Sequence, residues 1–403
     1  MRRMLLIGAL LVLQGCGHPA GVMTPVKPAA HASKTSQVEM LVATNRQPSG
    51  DPGTLFNGER SPKPFLTEVA VSIPQRREPG TVQWPRQLPP NPAKDFAVTR
   101  VQQIETLSEA TAWFRQHVSG GHALVFVHGY NNKYEDSVFR LAQIVHDSRM
   151  QAAPILFTWP SRARLTAYEY DKESANYSRT ALEQSLQVLA SNPDVKDITI
   201  LAHSMGTWLT MEALRQMGIR HGQVNPKITN VILASPDIDI QVFAKQFVEM
   251  GRHTARFTIF VSQDDKALAV SSLITGRVQR LGSVNPADEP YRSKFEQAGI
   301  AVVDLTKLDT GDSLNHAKFA ESADIVQLIG GRLMKGQTLT DSQVTLGDGV
   351  AAVIGGTART IGTVAATTIS APLHVVEDPQ KPASPPDVGQ TLTDAADDKP
   401  LLQ

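Results

Sequence analysis

Six short, almost wholly apolar runs, spaced by stretches of helical period, constrain this chain more than any other feature of its sequence. They are ALVFV at 123–127, ILFT at 155–158, DITILA at 197–202, NVILA at 230–234, FTIFVS at 257–262 and IAVVD at 300–304. A strand covered on both faces reads as a continuous apolar run, whereas a helix lying on a sheet shows one apolar stripe. Stretches 106–118, 135–149, 174–189 and 206–217 carry such stripes. The expected class is therefore α/β: a mostly parallel central sheet with helices on both faces.

The alternation spans 101–335, a suitable length for one catalytic domain. Before it, the β-prone runs 38–43, 67–73 and 96–101 are interrupted by Pro- and Gly-rich segments such as Pro89-Pro90-Asn91-Pro92. Segment 38–100 is expected to be an irregular extension packed on the domain. Residues 17–37, rich in Pro, Ala, Ser and Thr, read as a flexible tether. Residues 336–403 read as a low-complexity, disordered tail; within it 349–371 is too interrupted by Gly, Thr and Arg359 to be a membrane span. Lys plus Arg and Asp plus Glu both total 39, so no charge excess points to nucleic acid as a partner.

The N-terminus carries its own signal. Arg2 and Arg3 precede an apolar run at 5–13, too short to span a bilayer, followed by Leu13-Gln14-Gly15-Cys16. This resembles a bacterial lipobox, although Gln14 fits it imperfectly. The resemblance implies export and lipidation of Cys16, the only cysteine in the chain, and hence an outer-membrane or periplasmic anchor as the only membrane contact. Ordinary secretion, with cleavage after Gly15, Gly17 or Ala20, is the alternative.

Chemistry concentrates at Ala202-His203-Ser204-Met205-Gly206, between an apolar strand and a helix starting near Gly206. A nucleophile on a sharp strand-to-helix turn needs small residues two before and two after it. Ala202 stands in place of the first glycine of the usual G-x-S-x-G. A surface serine on an ordinary turn is the bland alternative, but it leaves a second motif unexplained. In Val125-Phe126-Val127-His128-Gly129-Tyr130-Asn131-Asn132 a buried strand runs into His-Gly, the position of a loop that donates an oxyanion-hole N–H. The expected backbone donors are those of Tyr130 and Met205.

The acid and base should follow the serine in the order Ser, Asp, His. Asp264 and Asp265 end the run 257–262, while Asp237 and Asp239 follow the preceding one. Asp265 is the expected acid and the other three are competitors. His316, in Leu314-Asn315-His316-Ala317, lies at a suitable distance beyond the last run. His128 precedes the serine and better suits a structural part of its loop.

Taken in order, several motifs resemble the bacterial α/β-hydrolases once labelled domain of unknown function 900. They are Ala43-Thr44-Asn45-Arg46, Phe126 to Asn132, Phe157-Thr158-Trp159-Pro160-Ser161, Tyr170-Asp171, Ala202 to Gly206, Ala234-Ser235-Pro236-Asp237-Ile238-Asp239, Ser262 to Leu268 and Asn315-His316. The resemblance covers roughly 38–332 and implies the α/β-hydrolase fold and a hydrolase triad. In that family the acid precedes a variable residue and Ala-Leu, which favours Asp265 over Asp264. It implies no common substrate.

The expected activity is cleavage of small to medium acyl esters, without cofactor or metal. The alternatives are an amidase or peptidase with the same triad, and an anchored scaffold that keeps only the fold. His128, Trp159 and Trp208 are candidate pocket residues, and Tyr168, Tyr170 and Asp171 form either an excursion over the site or a solvated loop. Stretch 267–280 is either a cap helix or a helix packed on the sheet.

Overall fold

The computed structural model describes residues 18–27, 35–118, 120–331 and 351–353. Its strands are β1 (Thr35–Pro48), β2 (Phe56–Pro74), β3 (Ala97–Ile104), β4 (His122–Val127), β5 (Ala153–Thr158), β6 (Asp197–His203), β7 (Ile228–Ala234), β8 (Arg256–Val261), β9 (Ala301–Asp304) and β10 (Ala351–Val353). They form one sheet in the order β10-β9-β8-β7-β6-β4-β5-β1-β2-β3. Neighbours from β1 across to β9 run parallel. The edges β2, β3 and β10 pair antiparallel.

The helices are α1 (Leu107–His117), α2 (Tyr134–Ser148), α3 (Tyr168–Ser191), α4 (Met205–His221), α5 (Ile240–Glu249), α6 (Lys266–Ile274), α7 (Tyr291–Ala298), α8 (Lys318–Glu321) and α9 (Ala323–Gly331). The sheet divides the core in two. Trp113, Leu182, Leu214 and Phe243, from α1, α3, α4 and α5, pack on one face. Phe139 and Ile144 of α2 and Ile325 and Ile329 of α9 pack on the other.

Chain order reverses around β4, which has β5 on one side and β6 on the other. In an open α/β sheet, ligands bind at such a switch point, outside the carboxyl ends of the strands. The loops carrying His128-Gly129 and Ser204 leave β4 and β6 at this edge.

Two sequence expectations need correction. Segment 38–100 is not an irregular extension: it supplies three strands of the main sheet, and β1 pairs in parallel with β5 from Leu41–Ile155 to Thr44–Thr158. Each β-prone run lies at one of these strands, but the pairing that unites them with the domain joins residues more than a hundred positions apart. Residues 18–27 are not a free tether either. Val22 and Met23 are fully buried, and the His18 ring stacks on Trp84 with centroids 3.9 Å apart. The signal sequence, Cys16 and, apart from β10, the C-terminal stretch lie outside the described residues.

Candidate active site

Ser204 alone joins β6 to α4, with φ 51° and ψ −124°. That left-handed backbone is strained for any side chain, and it is the conformation of a nucleophile elbow. Two glycines let the chain close around it. A Cβ on Gly206 would lie 2.3 Å from the His128 carbonyl oxygen, and one on Gly129 would lie 2.8 Å from Ser204 Cβ. Gly206→Ala should therefore cost about 2 kcal/mol or more, since the colliding atoms are backbone. A urea melt checks this; a midpoint equal to wild type would contradict the close packing of β4 and α4.

Met205 is the first residue of α4, so its N–H has no intrahelical acceptor. The loop carrying Tyr130 is held from several directions. Asn131 N–H donates to Asp171 Oδ2 (3.3 Å), Asn132 N–H donates to Ser161 Oγ (3.1 Å), and Tyr130 OH donates to the Leu165 carbonyl (2.6 Å).

Beneath the loop, Arg46 of β1 donates to Thr158 Oγ1 and to the carbonyls of Ser161 and Asn132, at 2.9, 3.0 and 2.9 Å. Its guanidinium is almost wholly buried, and burial lowers its pKa to about 10 against the opposing pull of Asp171 and Glu135. Arg46→Met should cost about 3 kcal/mol, because it strands several buried acceptors. Thermal unfolding measures this, and an unchanged midpoint would remove Arg46 from the loop's support.

His128 is locked rather than reactive. Its Nδ1 lies 2.8 Å from the Gly129 carbonyl, and its Nε2 accepts from Trp159 N–H at 3.1 Å. Burial, then the nearby Arg46 charge, push its pKa down to about 3, so the ring is neutral. Trp159 returns an Nε1 hydrogen bond to the His128 carbonyl and stacks on the ring. Both residues are buried, so the expectation that they line a substrate pocket is corrected: their polar atoms are satisfied by each other and by their neighbours. Tyr168, Tyr170 and Asp171 are not a solvated loop but the first turn of α3, and Asp171 is buried beneath the Ser161 hydroxyl.

On the other side of Ser204, Asp265 caps α6 by accepting from Leu268 N–H at 2.9 Å, and its second oxygen lies 2.7 Å from His316 Nδ1. The His316 backbone is fixed as well. Its N–H donates to Asp312 (2.5 Å), while its carbonyl accepts from Ser235 Oγ (3.1 Å) and lies 3.3 Å from Nε2 of His203, the residue before Ser204. The structure thus brings residues 204, 265 and 316 to one sheet edge. Ser204 Oγ makes no hydrogen bond to His316 Nε2 here, and such bonds are commonly long before substrate closes a site.

The competing carboxylates are occupied elsewhere. Asp264 accepts from Lys318 Nζ at 2.9 Å and from Asn315 Nδ2 at 2.9 Å, bracing the loop around His316. Asp237 accepts from Tyr168 OH and Ser271 Oγ, and Asp239 caps α5.

A family profile described as an α/β-hydrolase of unknown function (DUF900) matches residues 106–332. The chain belongs to this family. An esterase from Pyrobaculum calidifontis is similar in structure at 10% identity, with a TM-score of 0.34, over 75% of this chain and 86% of that one. No curated protein matches. This member of the DUF900 family is a hydrolase, with the α/β-hydrolase fold that its sequence predicted.

Next to the elbow, Met205 and Trp208 line a cavity of about 200 Å³ together with Tyr168, Lys172, Asp237 and Arg280. Of the three pocket residues expected from sequence, Trp208 alone borders it. Far from this edge, Glu39, Glu68 and His117 place potential metal ligands within 4.8 Å of one another. The Arg100 guanidinium already lies between the two carboxylates, 2.9 Å from Glu39 and 2.5 Å from Glu68, so the set is a salt-bridge network.

Sequence reasoning assigned no role to Arg46 or Asp312, read Ser161 only as part of a segment that could line the pocket, and read Asp171 only as a solvated or covering residue. Arg46, Ser161 and Asp171 stand in motifs that carry the family resemblance, but their joint support of one loop has no local spacing to reveal it.

Proposed function

We propose that this hydrolase cleaves carboxylic esters of small to medium acyl chains, with Ser204 as nucleophile, His316 as base and Asp265 as the group that orients it. The observation that carries the reading is the Asp265–His316 hydrogen bond, on a loop tied through His203 to the strained turn of Ser204. His316 Nε2 would take the Ser204 proton as Oγ bonds to the ester carbonyl carbon, and the negative oxygen would face the N–H groups of Met205 and Tyr130. The C–O bond then breaks and the leaving alcohol takes the proton from His316. Water, deprotonated by the same ring, releases the acid and restores Ser204. Export and lipidation at Cys16 belong to this reading as its cellular context.

The test is turnover of p-nitrophenyl esters of increasing acyl length, with fluorophosphonate labelling mapped to Ser204. Folded protein that neither turns over an ester nor takes the label would leave the fold without this chemistry, the scaffold alternative.

The pH profile gives a further check. Burial opposes charge on His316, but its hydrogen bond to Asp265 and the charges of Asp265, Asp237 and Asp312 outweigh it, so the pKa is raised. The ring must be neutral to accept a proton, so raising its pKa moves the acid limb of kcat/KM upward. That limb should lie above the ordinary histidine value of about 6.5. A limb below it would contradict the assignment of His316.

A further inference from the structure

Helix α6 carries its apolar residues outward. Its buried face is small: Leu268 packs on Gly282, and Ser271 Oγ donates to Asp237 at 2.5 Å and lies 2.9 Å from Tyr168 OH. Asp237 follows β7 and Tyr168 follows β5, so α6 lies across the carboxyl edge of the sheet, and the segment after it, through Thr275, Val278 and Arg280, walls the cavity beside Met205. On the opposite side Val270, Leu273 and Ile274 are 55%, 62% and 50% exposed. They stand at i, i+3 and i+4, one continuous stripe. Leu314, 49% exposed, is tied to the start of this helix, its carbonyl accepting from Lys266 N–H at 2.9 Å. A helix of a soluble domain normally turns such a stripe to the core, and a contiguous exposed apolar patch marks an interaction surface. Exposed Lys266 and Arg277 bracket the stripe; neither forms a salt bridge among the described residues, and one Lys266 Nζ proton is given to the Ser313 carbonyl at 2.7 Å, leaving the ammonium its other two donors.

An independent observation indicates what covers it. His18 Nε2 lies 2.9 Å from Asp136 Oδ1 in the first turn of α2, directly after the β4 loop. His18, the first described residue, therefore stands at the same edge of the sheet as α6, and the apolar run 5–13 and Cys16 precede it in the sequence. Strands β4 and β8 are three places apart in the sheet, about 14 Å at ordinary strand spacing.

We propose that this edge docks on an anionic lipid bilayer, with the outer face of α6 in the interface and Lys266 and Arg277 at the lipid phosphates. Helices that lie in an interface combine buried apolar area with attraction of basic residues to anionic lipid. The segment after α6 that walls the cavity, through Thr275, Val278 and Arg280, then lies beside the bilayer. Sequence reading placed all membrane contact at Cys16; here the domain contributes a surface of its own, whether or not the site cleaves esters.

The test uses the full chain carrying Cys16→Ser, which cannot be lipidated, in flotation with mixed phosphatidylglycerol and phosphatidylcholine vesicles. Binding is expected, and the combined Val270→Ser, Leu273→Ser and Ile274→Ser substitutions should weaken it by about tenfold or more. Lys266→Glu with Arg277→Glu should weaken it too, with little loss on phosphatidylcholine alone. An unchanged melting temperature shows that the variants are folded. Three results overturn the proposal: no flotation of the Cys16→Ser chain, equal flotation of the serine variant, or self-association without vesicle binding that the serine variant abolishes, which would assign the stripe to a second copy. Fluorophosphonate labelling of Ser204, measured separately, reports on the ester-cleaving site, so the failure of one reading is distinguishable from the failure of the other.

Discussion

Ser204→Ala is expected to lower kcat for p-nitrophenyl esters by on the order of 10⁶, the scale of loss when the nucleophile of a working serine triad is removed. The fold should survive. Ser204 Oγ makes no cap hydrogen bond to α4 and has no hydrogen-bond partner among the described residues, and alanine removes one atom while the turn at φ 51° is held by its surroundings. Ser204 N–H donates to the Ala234 carbonyl, its own carbonyl accepts from Thr207, and Gly129 and Gly206 close over it. An alanine variant that melts with wild type and has no turnover is the result this site requires. A variant that retains turnover within about tenfold would remove Ser204 as nucleophile, whatever the shape of its turn.

Asp265→Asn should lower kcat by about 10⁴ with little effect on stability. The two effects separate because the two carboxylate oxygens have different partners. Oδ1 accepts from Leu268 N–H as the cap of α6, and an asparagine oxygen caps a helix as well as an aspartate does. The other oxygen faces His316 Nδ1, and an amide nitrogen there removes both the negative charge and the acceptor that, in the proposed mechanism, holds the ring in its productive tautomer. Asp264→Asn provides the contrast. Its carboxylate pairs with Lys318 Nζ, which is buried and also donates to the Leu305 and Thr306 carbonyls. That substitution should act mainly on stability. If the two variants exchanged phenotypes, the acid would be Asp264 and the loop around His316 would have to close differently.

How much of this was legible in the sequence differs from residue to residue. The runs at 123–127, 155–158, 197–202 and 230–234 lie within β4, β5, β6 and β7, because a doubly covered parallel strand must be apolar along its whole length. Ala202 and Gly206 flagged the turn at Ser204 by a steric rule with a reach of two residues. The order of Asp265 and His316 after Ser204 follows from strand succession alone. His128 and Trp159 were harder, since an aromatic pair at strand ends has the same sequence whether it lines a pocket or fills the core. Only the carbonyls and N–H groups that surround them decide between those roles.

By itself, then, the sequence determined the features whose rules are local: the alternation of strand and helix and the small residues around a strained turn; it also set the chain order of the three residues proposed as nucleophile, acid and base. The tertiary structure decided the rest. It brought β1 to β5, buried Arg46 under the loop of Tyr130, assigned one Asp265 oxygen to a helix cap and the other to His316, and turned the apolar side of α6 outward. Apart from the Asp265 cap, whose partner Leu268 is three residues on, these depend on partners distant in the chain: Thr44 hydrogen-bonds Thr158 across 114 positions. Periodicity reports which residues need cover, but only three-dimensional packing settles which segment provides it.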